Sequence, residues 1–180
     1  YIYIKQNIIE NKDDQLFSAA RFVPKKGLDL LFQSFKKETG FDLLIAGGIE
    51  TELRDLGLEI KNGISIIGRL SPTEMVKQLS LSKITIIPSK NEPYGIIIAE
   101  AIFCGSPIVT TNVGGIPEVI DLAKKGLSKE EKKVFNKFVK LVKPEKDAIR
   151  IGINEIIKNY GCLDDYIKLI PNVRKQFHWS

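Results

Sequence analysis

Short apolar runs alternate along most of the chain with segments whose apolar positions recur at helical spacing. Residues 15–20, 42–46, 64–67, 83–88 and 107–111 read as strands. Between the first two, residues 27–37 place Leu28, Leu31, Phe32 and Phe35 on one helical face, and residues 50–58 read as a short helix. Ser71, Pro72 and Glu74 combine a cap, a first-turn proline and a third-position glutamate, so a helix runs from there to about Ser80. Residues 95–103 and 116–122 predict two more helices. Strands without polar alternation are buried on both faces. Strands separated by helices pair in parallel through right-handed crossovers. The pattern therefore predicts an α/β fold: a doubly wound, Rossmann-like parallel sheet with helices on both sides.

Beyond Ile120 the pattern weakens. Residues 123–146 read as a charged surface insertion, with an exposed helix over 124–137 and an edge strand over 139–142. Residues 146–159 read as a helix, and 163–179 as a terminal helix packing back on the sheet.

At 180 residues, 43% hydrophobic and 27% charged, the chain fits one domain with a sizeable core. No window approaches the roughly 18 consecutive apolar residues of a membrane span. Residues 1–5 lack the charged start and apolar run of a signal peptide, and an opening at Tyr1 implies a piece cut from a longer protein. Cys104 and Cys162 match no metal spacing and no disulfide framework, which points to a reducing, cytoplasmic home. With His178 the only histidine, no multi-histidine metal site can be assembled from this chain. The net charge of +5 includes a lysine cluster over 124–146. Phosphates, nucleic acid or anionic lipid would suit it, and so would plain solvent.

Ligands of open parallel sheets bind beyond the strands' carboxyl ends, so the strand-to-helix loops hold the candidate chemistry. After the first strand, Arg21 and Lys26 lie beside a helix start, as a diphosphate would require: a fork of donors and a point charge. Gly47 and Gly48 let backbone approach a ligand. No GxxxxGK[ST] or GxGxxG motif is present. The fourth loop is the most telling. Glu92 lies in it, Gly95 opens the next helix, and the amides of Gly95, Ile96 and Ile97 are donors at that helix's positive end. Glu100 sits among Ile97, Ile98, Ala99 and Ala101. A carboxylate in such company needs partners, and vicinal ribose hydroxyls would serve; a salt-bridged or exposed helix residue is the plain alternative. In the fifth loop, Gly114 and Gly115 allow a tight turn beside the same region.

Together these loops resemble the group 1, or family 4, glycosyltransferases of the GT-B fold, and specifically their C-terminal, donor-binding half. The resemblance rests on Arg21 with Lys26-Gly27-Leu28-Asp29, on Ala46-Gly47-Gly48 and on Gly68-Arg69-Leu70. It continues through Pro88-Ser89, Glu92-Pro93-Tyr94-Gly95, Glu100-Ala101, Cys104-Gly105-Ser106-Pro107 and Gly114-Gly115-Ile116-Pro117-Glu118. Seven residues separate Glu92 from Glu100, the spacing of the family's glutamate pair.

The resemblance implies a retaining hexosyltransferase whose donor is a nucleotide diphosphate sugar, with UDP or GDP as the nucleotide. Arg21 and Lys26 would neutralise the diphosphate, Glu100 would bind the ribose, and Glu92 would hold the transferred sugar near the reacting carbon. Amides from Tyr94 to Ile97 would hold sugar and phosphate, and Gly68, Arg69 and Leu70 would border the base. Catalysis would thus fall to Glu92, Arg21 and Lys26. No metal is implied. Front-face attack and double displacement through Glu92 both remain open. The acceptor, a carbohydrate, lipid or other molecule, would be bound mainly by an N-terminal domain absent from this chain. A nucleic-acid partner is not implied. The 124–146 stretch departs from the family's short segment, as an exposed insertion or as a peripheral contact with the inner face of a membrane. A non-catalytic nucleotide-binding scaffold and a starch- or glycogen-synthase-like enzyme are the rival readings.

Overall fold

A computed structural model describes residues 12–35 and 40–177. One sheet contains β1 (Asp13–Ala19), β2 (Asp42–Ala46), β3 (Ile64–Ile66), β4 (Ser82–Ile87), β5 (Ile108–Thr111) and β6 (Val139–Val142). Its order is β3-β2-β1-β4-β5-β6, and every neighbouring pair is parallel. The doubly wound sheet expected from the apolar runs is therefore present. Leu16, Phe17, Ser18 and Ala19 of β1 are all buried, as are Ile84 to Ile87 of β4. Residues of both parities are covered because helices lie on both faces.

The connecting helices are α1 (Leu28–Ser34), α2 (Glu50–Asp55), α3 (Pro72–Leu81), α4 (Ile96–Phe103) and α5 (Ile116–Lys124). They are followed by α6 (Lys129–Phe138), α7 (Lys146–Asn159) and α8 (Leu163–Arg174). Helix α1 packs against α7, while α3, α4 and α5 pack side by side. Helix α8 lies mainly over α4, α5 and α6 rather than on the sheet itself. There Tyr166 donates to the Ser106 carbonyl at 3.1 Å.

Three helices are shorter than their sequence pattern, and the last of them, α8, stops at Arg174 instead of continuing through Phe177. In α1 the helix stops at Ser34 because Phe35 turns to extended backbone, with ψ of 131°; Lys36 and Lys37 lie outside the described residues. In α2 the helix stops at Asp55, and Gly57 closes a turn by donating to the Arg54 carbonyl at 2.8 Å. The last three residues of the predicted terminal helix fall partly beyond description: Phe177 packs edge-on against Phe103 at 4.8 Å, whereas His178 and Trp179 lie outside the described residues.

The 123–146 segment is charged on one face only. Helix α6 turns Phe135 and Phe138 fully into the core, where Phe138 stacks on Tyr166 with ring centres 5.2 Å apart. Its lysines 129, 132 and 133 face outward. Strand β6 then forms the sheet edge beside β5.

Candidate functional site

The strand order reverses between β1 and β4, and at such a switch point the loops beyond the carboxyl ends diverge and leave a crevice. The β1–α1 loop and the β4–α4 loop flank it. Four contacts fasten them together. The amides of Lys90 and Asn91 both donate to the Lys25 carbonyl, at 2.8 and 3.1 Å. Lys90 Nζ pairs with Asp29 Oδ2 at 2.6 Å. Lys26 Nζ pairs with Glu92 Oε2 at 2.5 Å, and these two side chains are only 16% and 11% exposed. That low exposure separates this pair from the other ion pairs among the described residues, each of which has at least one partner more than a third exposed.

Two glycines permit the close packing of these loops. Gly27, at φ 70°, caps α1, and a Cβ there would fall 1.9 Å from the Pro88 carbonyl oxygen. Gly114, at φ 53°, lies against the Glu92 backbone, where a Cβ would come within 2.2 Å of the Glu92 carbonyl oxygen. Both positions combine left-handed backbone with no room for a side chain. The β5–α5 loop thus supports Glu92 from behind, and the Gly115 amide donates to that same carbonyl at 2.9 Å. Thr111 Oγ1 donates to the Ser89 carbonyl, holding the start of the loop.

The crevice is an open cleft of about 510 Å³. The β1 side contributes Arg21 and Lys26, and the β4–α4 side contributes Glu92, Tyr94, Ile96, Ile97 and Glu100. The third flank is formed by Gly47, Arg69 and Leu70. All four charged residues expected at one site, Arg21, Lys26, Glu92 and Glu100, therefore line one cavity although the first and last are 79 positions apart in sequence. Arg21 is exposed and makes no ion pair among the described residues. The amides of Gly95, Ile96 and Ile97 have no acceptor among the described residues, whereas Ile98 already donates to the Gly95 carbonyl at 3.0 Å. These free amides place partial positive charge on the cleft wall. Burial pushes the Glu100 carboxyl above the ordinary carboxylate range.

Three expected residues do not line the cavity; they shape it. Gly48 is buried against the Phe22 ring, Gly68 accepts the Gly47 amide through its carbonyl at 2.7 Å, and Gly95 caps α4. Arg69 does line the cleft, but Glu52 holds it at 2.7 Å. The other oxygen of Glu52 accepts the Ile49 amide at 2.9 Å. The sequence reading missed Ala19, Ala20 and Met75, which also line the cleft. Met75 lies in the first turn of α3, just past the flagged Gly68-Arg69-Leu70 loop, so the Ser71 cap was the available signal. The direct Lys26–Glu92 pair was also missed, since no local pattern links residues 66 positions apart.

Comparison with known proteins bears on the family and the fold. The profile of the glycosyl transferases group 1 matches residues 2–176. An uncharacterised glycosyltransferase of Methanocaldococcus jannaschii is 25% identical over 98% of the chain, and the chain covers 52% of that protein. A GDP-mannose-dependent mannosyltransferase of Corynebacterium glutamicum is 30% identical over 56% of the chain and 30% of its own length. Among solved structures, Anabaena HepE in complex with UDP and glucose superposes with a TM-score of 0.69 at 18% identity, over 92% of this chain and 45% of that one. The chain thus spans about half the length of the curated relatives it matches along nearly its whole length. Because the family profile runs nearly end to end over a doubly wound sheet shared with GT-B glycosyltransferases, the chain belongs to the group 1 glycosyltransferases.

Proposed function

We propose that the cleft binds a nucleoside diphosphate sugar and serves hexosyl transfer with retention at the anomeric carbon. The observation that carries this reading is the convergence of two cations, two carboxylates and a helix N-terminus on one cleft at the switch point. A diphosphate suits Arg21, Lys26 and the α4 amides; a ribose suits Glu100; sugar hydroxyls suit Glu92. The printed names of the GDP-mannose-dependent relative and of the neighbour solved with UDP and glucose support a nucleotide sugar.

During transfer the bond between the anomeric carbon and the diphosphate oxygen breaks. A bond from that carbon to the acceptor oxygen forms, and the acceptor proton passes to the departing phosphate. Negative charge grows on the leaving group, where Arg21, Lys26 and the amides of Gly95 to Ile97 are already aimed. Fixed donors at the place where charge develops lower the barrier without reorganising. Fixed positive charge can fill the role often given to a divalent cation, so EDTA should leave nucleotide affinity unchanged. Lys26 also orients Glu92 through their ion pair, so one residue serves both phosphate and sugar.

The test is turnover by the intact protein, supplied with UDP-, GDP- and ADP-hexoses and followed by release of nucleoside diphosphate. Glu92→Ala should lower turnover by about a hundredfold or more, as the loss of one positioned polar group at a reacting centre does. A Glu92→Ala protein with parental turnover would remove Glu92 from the chemistry and leave a nucleotide-binding scaffold.

A further inference from the structure

The chain's excess positive charge lies in one segment late in the sequence. Residues 124–146 contain nine lysines and three glutamates, an excess of six, while the whole chain carries +5. The remaining residues are therefore close to neutral overall. Helix α6 sorts this charge by face. Val134, Phe135 and Phe138 turn inward, and Lys129, Lys132 and Lys133 turn outward at one-turn spacing. Lys125, at the end of α5, is exposed immediately before them. Only Lys133 among these four has an acid partner among the described residues, Glu130 at 2.9 Å.

Two features go against plain solvation of a surface helix. Lys129 is the first residue of α6, where the helix dipole disfavours a cation. Leu122, one turn before Lys125, is 37% exposed beside this patch. The aromatic rings of the segment, Phe135 and Phe138, are fully buried, so the lysine face offers nothing for bases to stack on.

We propose that the outer face of α6, with Lys125 and Leu122 at the end of α5, docks on an anionic lipid surface. A dense row of mobile ammonium groups with an apolar residue beside it complements a sheet of phosphate head groups over acyl chains. The topology leaves the cleft free in that state. Helix α5 starts at the cleft loop and runs toward the amino ends of the strands, and α6 finishes there, immediately before β6 begins. A bilayer on this patch thus lies at the opposite edge of the sheet from the donor cleft, and the inference does not depend on what the cleft binds.

The experiment is vesicle flotation with the full chain, using phosphatidylcholine alone and phosphatidylcholine mixed with phosphatidylglycerol. Parental protein should float only with the anionic vesicles and should be released by salt. The variant carrying K129Q, K132Q and K133Q should lose about a hundredfold in partitioning, at roughly fivefold per lysine near an anionic surface. Circular dichroism and an unchanged thermal melting midpoint would show that the variant is folded. Three results would overturn the proposal: no flotation of parental protein at about 0.1 M salt, where fields still reach about 10 Å; undiminished flotation of the triple variant; or capture by a single-stranded oligonucleotide with the vesicles left empty.

Discussion

Glu100 carries a charge that its surroundings oppose. Burial raises its carboxyl above the ordinary range, and no described residue hydrogen-bonds that carboxyl. A carboxyl with a raised folded pKa binds its proton more tightly in the folded state than in the unfolded chain. Its contribution to stability is then fully present below the ordinary carboxylate range and is lost as pH rises through the raised folded value. Glu100→Gln removes that loss. The variant should melt above the parent at neutral pH, and the difference should vanish near pH 4, about where an unfolded glutamate titrates. Thermal melts across that range check this. A variant that melts lower than the parent at neutral pH would show that the buried charge is compensated and that Glu100 is an ordinary structural residue. Glu92 differs: its charge is met at once by Lys26. The two glutamates thus have distinct environments, one ion-paired within the protein and one without a hydrogen-bond partner among the described residues.

At the scale of elements, sequence and structure agree where local chemistry decides the conformation. Strand β2 has the bounds its apolar run predicts, and α7 has those of its helical pattern. The Ser71 capping box forms as read, with the Glu74 amide donating to Ser71 Oγ at 3.3 Å and the Glu74 carboxylate accepting the Ser71 amide at 2.8 Å. The same signature at Ser128 and Glu131 also forms, but it was hidden in a run whose charge drew the eye to solvent. Reading α6 by charge alone overlooks Phe135 and Phe138, two residues that settle where the helix sits. Phe135→Ala should cost about 3–5 kcal/mol, the range for emptying a filled aromatic site. Lys132→Ala, one turn away and exposed, should stay within about 0.5 kcal/mol. Urea unfolding of both variants measures the contrast, and equal small effects would mean that α6 does not close the core.

At the scale of the whole molecule, the sheet order brings four separate loops to one cleft, with the β5–α5 loop behind them. That convergence was legible because an open parallel sheet gathers its strand-to-helix loops along one edge, so loop residues could be assigned to a common side before any coordinates. The rim was less legible. Ala19 and Ala20 are ordinary strand-end residues, and Met75 faces the cleft only because of where α3 crosses to reach β4. No residue pattern encodes such a crossing. Among the described residues no helix is long and apolar enough to cross a membrane.

The central claim, that Arg21 and Lys26 face a diphosphate within this cleft, is tested most directly by calorimetric titration with UDP and GDP against uridine and guanosine, for parent and Arg21→Ala. The account predicts that one diphosphate binds the parent, and that Arg21→Ala weakens it by about 10- to 100-fold, the worth of a hydrogen bond to a charged group, while nucleoside affinity is unchanged. Equal losses for nucleoside and diphosphate, or no binding of either diphosphate to the parent at millimolar concentration, would contradict it.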